Sequence, residues 1–313
     1  MTIYEHATTF AGKPVVDWEP GSDFADPRAT IPRISLPWDA ANAGETWPQR
    51  WAAFLQTPGA EEITGLVVGT WDRSQASEDT PDAVVEALVA THTRVPNLRA
   101  LFFGDITSEE SEISWIQQTD MSPLFAAFSA LEHFCVRGGN RLSLGRMRLA
   151  RLASLIVPTG GLPGAVAREV AAAELPALTH LELWLGTDGY GGTTTLEDLA
   201  PILAGDRFPR LRYLGLRDSD QADAVAQAVA EAPVLGQLEV LDLSLGTLSD
   251  AGAAALLASL AMRRLRRLDI HHHYCTPAMV AQLEELGVEV DASDPQEPDE
   301  DRGELYRYVA VGE

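Results

Sequence analysis

The sequence predicts an α/β solenoid, a horseshoe with a parallel strand ladder on its concave face and helices on its convex face. Three observations predict it. A triplet of apolar residues at positions 1, 4 and 6 recurs along the chain, helix-start signals follow several copies, and 313 residues exceed the size at which one compact core usually stops growing.

Taken in order, the first candidate strand is Ile31-Ile34-Leu36. It contains Pro32 and precedes Pro37, which suits an edge or capping strand, because proline cannot donate to a ladder. Four looser copies follow: Ile63-Leu66-Val68, Leu98-Leu101-Phe103, Leu131-Phe134-Val136 and Leu152-Leu155-Val157. The clearest copies come next, as Leu178-Leu181-Leu183, Leu211-Leu214-Leu216, Leu238-Leu241-Leu243 and Leu265-Leu268-Ile270. Their starts lie 35, 33, 21, 26, 33, 27 and 27 residues apart.

Helical returns are signalled between the strands. In TPDAVVEALVATH, Thr80 is the expected N-cap with Pro81 at the first helical position, Ser249 precedes an alanine-rich stripe, and Thr276-Pro277 opens a run that stops at Gly287. A strand and a helix of this length cannot bury both faces alone, so each repeat must stack on its neighbours. The interval from Leu131 to Leu152 is too short for a full helix, and an irregular return is expected there.

The segments LGQLEVLDLSLGTLSDAGAAALLASL and RLRRLDIHHHYCTPAMVAQLEELGVEV resemble leucine-rich repeats of the ribonuclease-inhibitor-like class, as found in uncharacterised bacterial repeat proteins. The likeness runs from about Ile63 to Val290. It departs at position 9, where Ser219, Gly246 and His273 stand in place of the usual asparagine. The resemblance implies the horseshoe fold and a protein-binding role, and it supplies no catalytic residues. The expected organisation is an N-terminal cap over residues 1–60, the solenoid over 61–290, and an acidic linker with a C-terminal tail over 291–313.

Composition narrows the function classes. Hydrophobic residues make up 46% of the chain, enough for a real core. Asp and Glu number 46 against 23 Lys and Arg, a net charge of −23, which disfavours nucleic acid and anionic membranes. Two cysteines without metal spacing and no apolar leader predict a cytoplasmic protein.

Alternation along a strand sends positions 1, 4 and 6 to the core and positions 3, 5, 7 and 8 to the concave face. Position 5 reads Val67, Phe102, Cys135, Ile156, Glu182, Gly215, Asp242, Asp269, so the strip turns from apolar to acidic. His180, Glu182, Trp184, Tyr213, Arg217, Asp218, Asp242, Asp269 and His271, with His272 beside them, should share one patch and form the partner-binding site. An enzyme, a hydrolase or transferase using Glu182, Asp242, Asp269 and His271, is the alternative. A structural subunit of a larger complex is a further one, and it would expose the apolar first half of the strip.

No Walker, HExxH, GxSxG, EF-hand or paired-cysteine pattern occurs, so no cofactor is expected. The loop GTDGYGGTTTLEDL comes nearest to a phosphate cradle, but it lacks the following lysine. Within His271-His272-His273, strand alternation allows at most His271 and His273, or one of them with Asp269, to converge on an ion, and no metal site is expected. Finally, Arg137, Arg141, Arg146, Arg148, Arg151 and Arg168 form a basic island with no acid between Glu132 and Glu169. It offers a dock for an acidic partner or for the chain's own acidic tail.

Overall fold

The computed structural model describes residues 3–71 and 80–312. They form two compact units, Met1–Leu155 with Ala173–Leu175, and Ile156–Ala172 with Pro176–Gly312. Met1 and Glu313, the ends of the expected cap and tail, lie outside the described residues.

In the first unit, β1 (Thr9–Phe10) pairs antiparallel with β2 (Lys13–Asp17). Then β2, β3 (Ile31–Ile34), β4 (Gly65–Val68), β5 (Ala100–Phe103) and β6 (His133–Val136) pair in parallel in chain order. β3 is therefore not an edge. Pro32 is tolerated because pairing toward β4 begins only at Arg33. The returns carry α1 (Trp38–Asn42), α2 (Trp47–Phe54), α3 (Asp82–Thr91) and α4 (Ser122–Ala127). Pro81, and not Thr80, occupies the cap of α3. Trp47, Trp51 and Phe54 stack in sequence along α2, and Trp47 Nε1 donates to the Ile34 carbonyl at 2.8 Å, which fixes the helix on its strand. After β6 the chain returns through turns and isolated bridges with no helix, as the short interval requires.

β7 (Ser154–Val157) spans the division of the two units. In the second unit, β8 (His180–Gly186), β9 (Tyr213–Ser219), β10 (Val240–Asp242), β11 (Arg267–Asp269) and β12 (Glu289–Asp291) form a parallel ladder in chain order. Between them run α5 (Gly164–Ala172), α6 (Leu196–Leu203), α7 (Ala222–Glu231), α8 (Asp250–Ala258) and α9 (Pro277–Glu284), each packed on the next. Ser249 caps α8 and Thr276 caps α9 through their side chains, and Gly287 takes the left-handed conformation after α9. An exposed hairpin follows, β13 (Asp299–Asp301) with β14 (Glu304–Tyr306).

The apolar triplets are the core of both units. From Ile63 to Ile270 none of the residues in the eight copies is more than 5% exposed. Burying one such aliphatic side chain is worth about 1.5–3 kcal/mol, so stacking supplies what a lone repeat lacks.

The strand face of the first unit is not an open surface. Val67, Phe102 and Cys135, three of the four apolar residues of the strip, are all fully buried, whereas Ile156, the fourth, is half-buried and belongs to the second unit. Phe10 packs on Phe102 with ring centroids 5.6 Å apart, Ala7 N donates to Asp105, and Ser108 N donates to the Ile3 carbonyl at 2.9 Å, so the N-terminal segment crosses this face. The first-unit part of the apolar strip that a structural subunit would present is covered by the chain itself. Beneath the segment, Asp105 is fully buried, with Arg33 Nη1 at 2.9 Å, His6 Nδ1 at 3.6 Å and Arg137 Nη2 at 3.8 Å. Arg137 belongs to this interior, lies 5.3 Å over the Phe102 ring, and is no part of a surface island.

The carboxylate of Asp105 and then that of Glu110, 3.6 and 3.4 Å from the ring nitrogens, raise the His6 imidazole to about 9. A folded-state pKa above the unfolded 6.5 means that this stabilisation is complete below about pH 6.5 and is lost as pH rises through about 9. The melting-temperature gap between wild type and His6→Gln should therefore be widest at pH 6 and close by pH 9.5. A gap that is constant across that range would show that the imidazolium does not hold the segment down.

Candidate functional site

The polar strip of the second unit is built by register. Glu182 on β8, Gly215 on β9, Asp242 on β10, Asp269 on β11 and Asp291 on β12 stand opposite one another rung by rung. Parallel strands lie about 4.8 Å apart, so four carboxylates in this row would repel one another unless cations lay between them.

Arg217, two residues beyond Gly215, supplies the first cation. Gly215 has no side chain, and a Cβ there would lie 3.1 Å from Glu182 and 3.5 Å from Arg217, so the space is used by the neighbours. The guanidinium donates from Nη1 to Glu182 Oε1 at 2.8 Å and from Nε to Ser244 Oγ at 2.8 Å, and its Nε lies 3.3 Å from Asp242 Oδ2. Trp184 lies beneath it, 5.0 Å from ring to guanidinium, and donates from Nε1 to Glu182 Oε1 at 2.7 Å. Tyr213 donates its hydroxyl to Asp242 Oδ2 at 2.5 Å, and its ring stacks on His180 at 3.9 Å. His180 Nε2 lies 3.5 Å from Glu182 Oε2.

The second cation is Arg267, whose Nη2 bridges Asp269 Oδ2 at 2.9 Å and Asp291 Oδ2 at 2.8 Å. His271 Nδ1 closes on Asp269 Oδ1 at 2.6 Å. One arginine thus lies between Glu182 and Asp242 and another between Asp269 and Asp291.

These contacts set the protonation states. Burial alone would raise the Glu182 carboxyl, but the His180 imidazole 3.5 Å away, the Arg217 charge and the Trp184 donor outweigh it and hold the group well below the usual carboxylate range. Burial opposes the charge of Arg217, yet Glu182 and Asp242 raise its pKa further above the ordinary arginine value. Burial, followed by the charges of Glu182 and Asp242, pushes the Tyr213 phenol far up. The Asp269 hydrogen bond raises His271.

The expected site residues thus fall into two groups. Glu182, Trp184, Arg217, Asp242 and Asp269 are buried, with Trp184 only 1% exposed, and they form the base of the strip. His180, Tyr213 and His271 are half-buried and reach solvent, as does Arg267. Asp218 belongs to neither group. Its φ of 54° turns it away from the strip, and its Oδ1 accepts from Val311 N at 3.0 Å. Ser244, Arg267 and Asp291 join the network without having been singled out by sequence, although the alternation that selected Glu182 and Asp242 also places Asp291 and Arg267 on this face.

Asp269, His271 and Asp291 bring one ligand atom each within 4.8 Å of one another. Arg267 Nη2 already spans the two carboxylates, where a cation would sit. His273 is 1% exposed, with Nδ1 accepting from Cys275 N at 3.0 Å and Nε2 directed at the Ala292 carbonyl at 3.1 Å, so it cannot converge with His271 on an ion. The glycine-rich loop before α6 borders a small cleft of about 20 Å³, room for a water or two, and Asp188 and Asp220 in its wall disfavour phosphate. In the basic island, exposed Arg146 and Arg148 pair with Glu174, and Arg168 pairs with Asp198.

The tail folds back within the second unit. Arg307 reaches Asp223, Tyr308 meets Tyr274, and Ala310 N donates to the Leu245 carbonyl at 2.8 Å. The acidic linker spends Asp291 on Arg267 and Asp294 on His272.

This ladder of parallel strands and helical returns has a relative of known structure. A protein from Bacteroides fragilis superposes with a TM-score of 0.79 at 30% sequence identity, over 84% of this chain and 74% of its own. The chain belongs to the same family as that protein. Its parallel ladder with helical returns is of the leucine-rich-repeat type. An internalin from Listeria monocytogenes matches at 12% identity and a TM-score of 0.32, over 78% of this chain and 77% of its own, too remote to carry weight for the fold. No protein-family model and no curated protein matches the leucine-rich-repeat chain. Among its described residues no helix is long and apolar enough to cross a membrane.

Proposed function

We propose that this leucine-rich-repeat protein is a non-catalytic scaffold that binds a protein partner on the strand face of its second unit. The observation that carries the reading is the layering of that face. The half-buried His180–Tyr213 stack, Arg267 and His271 stand on a base of buried ion pairs that fixes their positions. Aromatic and arginine side chains held rigid on a strand ladder are what an interface needs at its centre, since little rotamer freedom is left to lose on binding. The same layering disfavours acid–base chemistry at this strip. Glu182 is held as a carboxylate by its donors and Tyr213 as a phenol by its acidic neighbours, so neither is poised to exchange a proton near neutral pH.

The test is affinity capture from the source cell with wild type and with the triple variant His180→Ala, Arg267→Ala, His271→Ala, whose side chains reach solvent. A protein partner held by wild type should be retained at least tenfold less by a variant that melts as wild type does. Equal retention would remove the partner from this face.

A further inference from the structure

The C-terminal segment occupies a groove at the strand exits of β9, β10 and β11, and the groove reads it chiefly through its main chain. Tyr274 brackets one residue, its hydroxyl accepting from Tyr308 N at 2.8 Å and donating to the Tyr308 carbonyl at 2.9 Å. His272 Nε2 lies 3.3 Å from the same carbonyl. Two residues on, Ala310 N donates to the Leu245 carbonyl at 2.8 Å, and Val311 N donates to Asp218 Oδ1 at 3.0 Å.

Two side chains of the segment make the contacts that can select a sequence, while Val309 and Ala310 are half-buried. Val311 is 5% exposed, and Arg307 lies 3.3 Å from Asp223 Oδ2 and 6.0 Å over the Tyr274 ring. The Tyr308 side chain points into solvent, 58% exposed.

Three of the groove's contacts come from residues that local preference would not place there. Asp218, Leu245 and His272 follow one another at 27-residue spacing, each left-handed at φ 54°, 67° and 57°. The turn that ends each strand thereby presents a side chain or carbonyl to the same crossing segment. Asp218 is fully buried, and its Oδ2 has no hydrogen-bond partner among the described residues, so the groove holds one polar position that its occupant leaves unused.

We propose that this groove is a peptide-binding site, distinct from the strand face, and that it takes in trans an extended partner segment with arginine at one position and a small aliphatic residue four positions later. The chain's own residues 307–312 are its occupant in cis. The main-chain bonds supply affinity without regard to sequence. Asp223 with the Tyr274 ring selects the basic residue, and the buried Val311 position selects the aliphatic one. The exposed hairpin β13–β14 links the segment to the ladder, and its strands pair only with each other, so a partner can displace the tail without breaking a repeat.

The test uses a chain ending at Arg302 and a fluorescent peptide of residues 304–313. Saturable binding to the shortened chain is expected, at least tenfold tighter than to the full chain, whose own tail competes. Arg307→Glu or Val311→Asp in the peptide, and Tyr274→Phe in the protein, should each weaken it about tenfold, the loss of one or two hydrogen bonds or a charge pair. Should the shortened chain fail to fold, a specific protease site placed between Arg302 and Gly303 of the full chain leaves the tail held by contacts alone, and incorporation of labelled peptide reads the same affinity. No binding at millimolar peptide, or equal binding of the variants, overturns the proposal.

Discussion

Arg217→Ala should destabilise the second unit by about 3–5 kcal/mol, the cost of breaking a buried ion pair from one side. The substitution leaves Glu182 without its 2.8 Å donor, Asp242 without the guanidinium 3.3 Å away, and Trp184 without the cation on its ring. Both carboxylates are at most 5% exposed, so water cannot replace the lost partner without opening the strip. Arg217→Lys should recover part of the loss, because an ammonium restores the charge but cannot serve Glu182 and Ser244 at once from a planar fork. Chemical denaturation reads the difference, and a thermal midpoint lowered on the order of 10 °C is the matching signature. A loss under about 1 kcal/mol would mean that the strip behaves as a solvated surface, where ion pairs count for little. The carboxylates would then be free for a ligand, and the scaffold reading would lose its base.

That expectation changes how binding at this face has to be probed. Trp184, Arg217 and Asp242 have the residue types of an interface anchor, but truncating them removes the floor and not the contact. His180, Arg267 and His271 reach solvent, and a variant at these positions that still melts as wild type does tells a loss of partner from a loss of fold.

The repeat was legible in the sequence because its cause is local. Side-chain direction alternates along a strand, so a triplet at positions 1, 4 and 6 with a capped helix after it names the buried residues, and all eight triplets are buried. The register Glu182, Gly215, Asp242, Asp269 follows from the same spacing. What periodicity cannot carry is which faces are covered, since the covering segments belong to no repeat. His6 meets Asp105 and Val311 meets Asp218 across gaps of about a hundred residues, with no pattern linking the partners. Phe102 therefore reads as a surface residue until Phe10 is found on it, and Arg137 reads as part of a basic patch until Asp105 is found beneath the N-terminal segment. The site was legible to the same extent. Its residue types were on the page, but the division between floor and surface depends on which arginine lies between which carboxylates.

The glycine-rich loop before α6 shows how a motif of this kind is resolved by packing. Gly186→Ala should cost about 3 kcal/mol or more, and Gly191→Ala, in the same loop, only about 1 kcal/mol. Both glycines are left-handed, at φ 63° and 91°, so both substitutions carry the conformational penalty. They differ in what a methyl group would meet. At Gly186 it would lie 1.9 Å from the Gly160 carbonyl oxygen and 2.5 Å from Gly161 N, main-chain atoms that no rotamer change can move, whereas at Gly191 nothing lies within 4 Å. The close approach is held by Thr187 N donating to Gly160 O and Leu162 N donating to Leu185 O, both at 2.9 Å, so relief of the clash would break the bonds that join these exits. Gly186 thus serves main-chain packing and Gly191 a left-handed turn, sufficient reasons for both without any phosphate. Paired denaturation of the two variants checks this directly. Equal losses would show that the penalty is conformational alone and that the loop is free to open around a ligand.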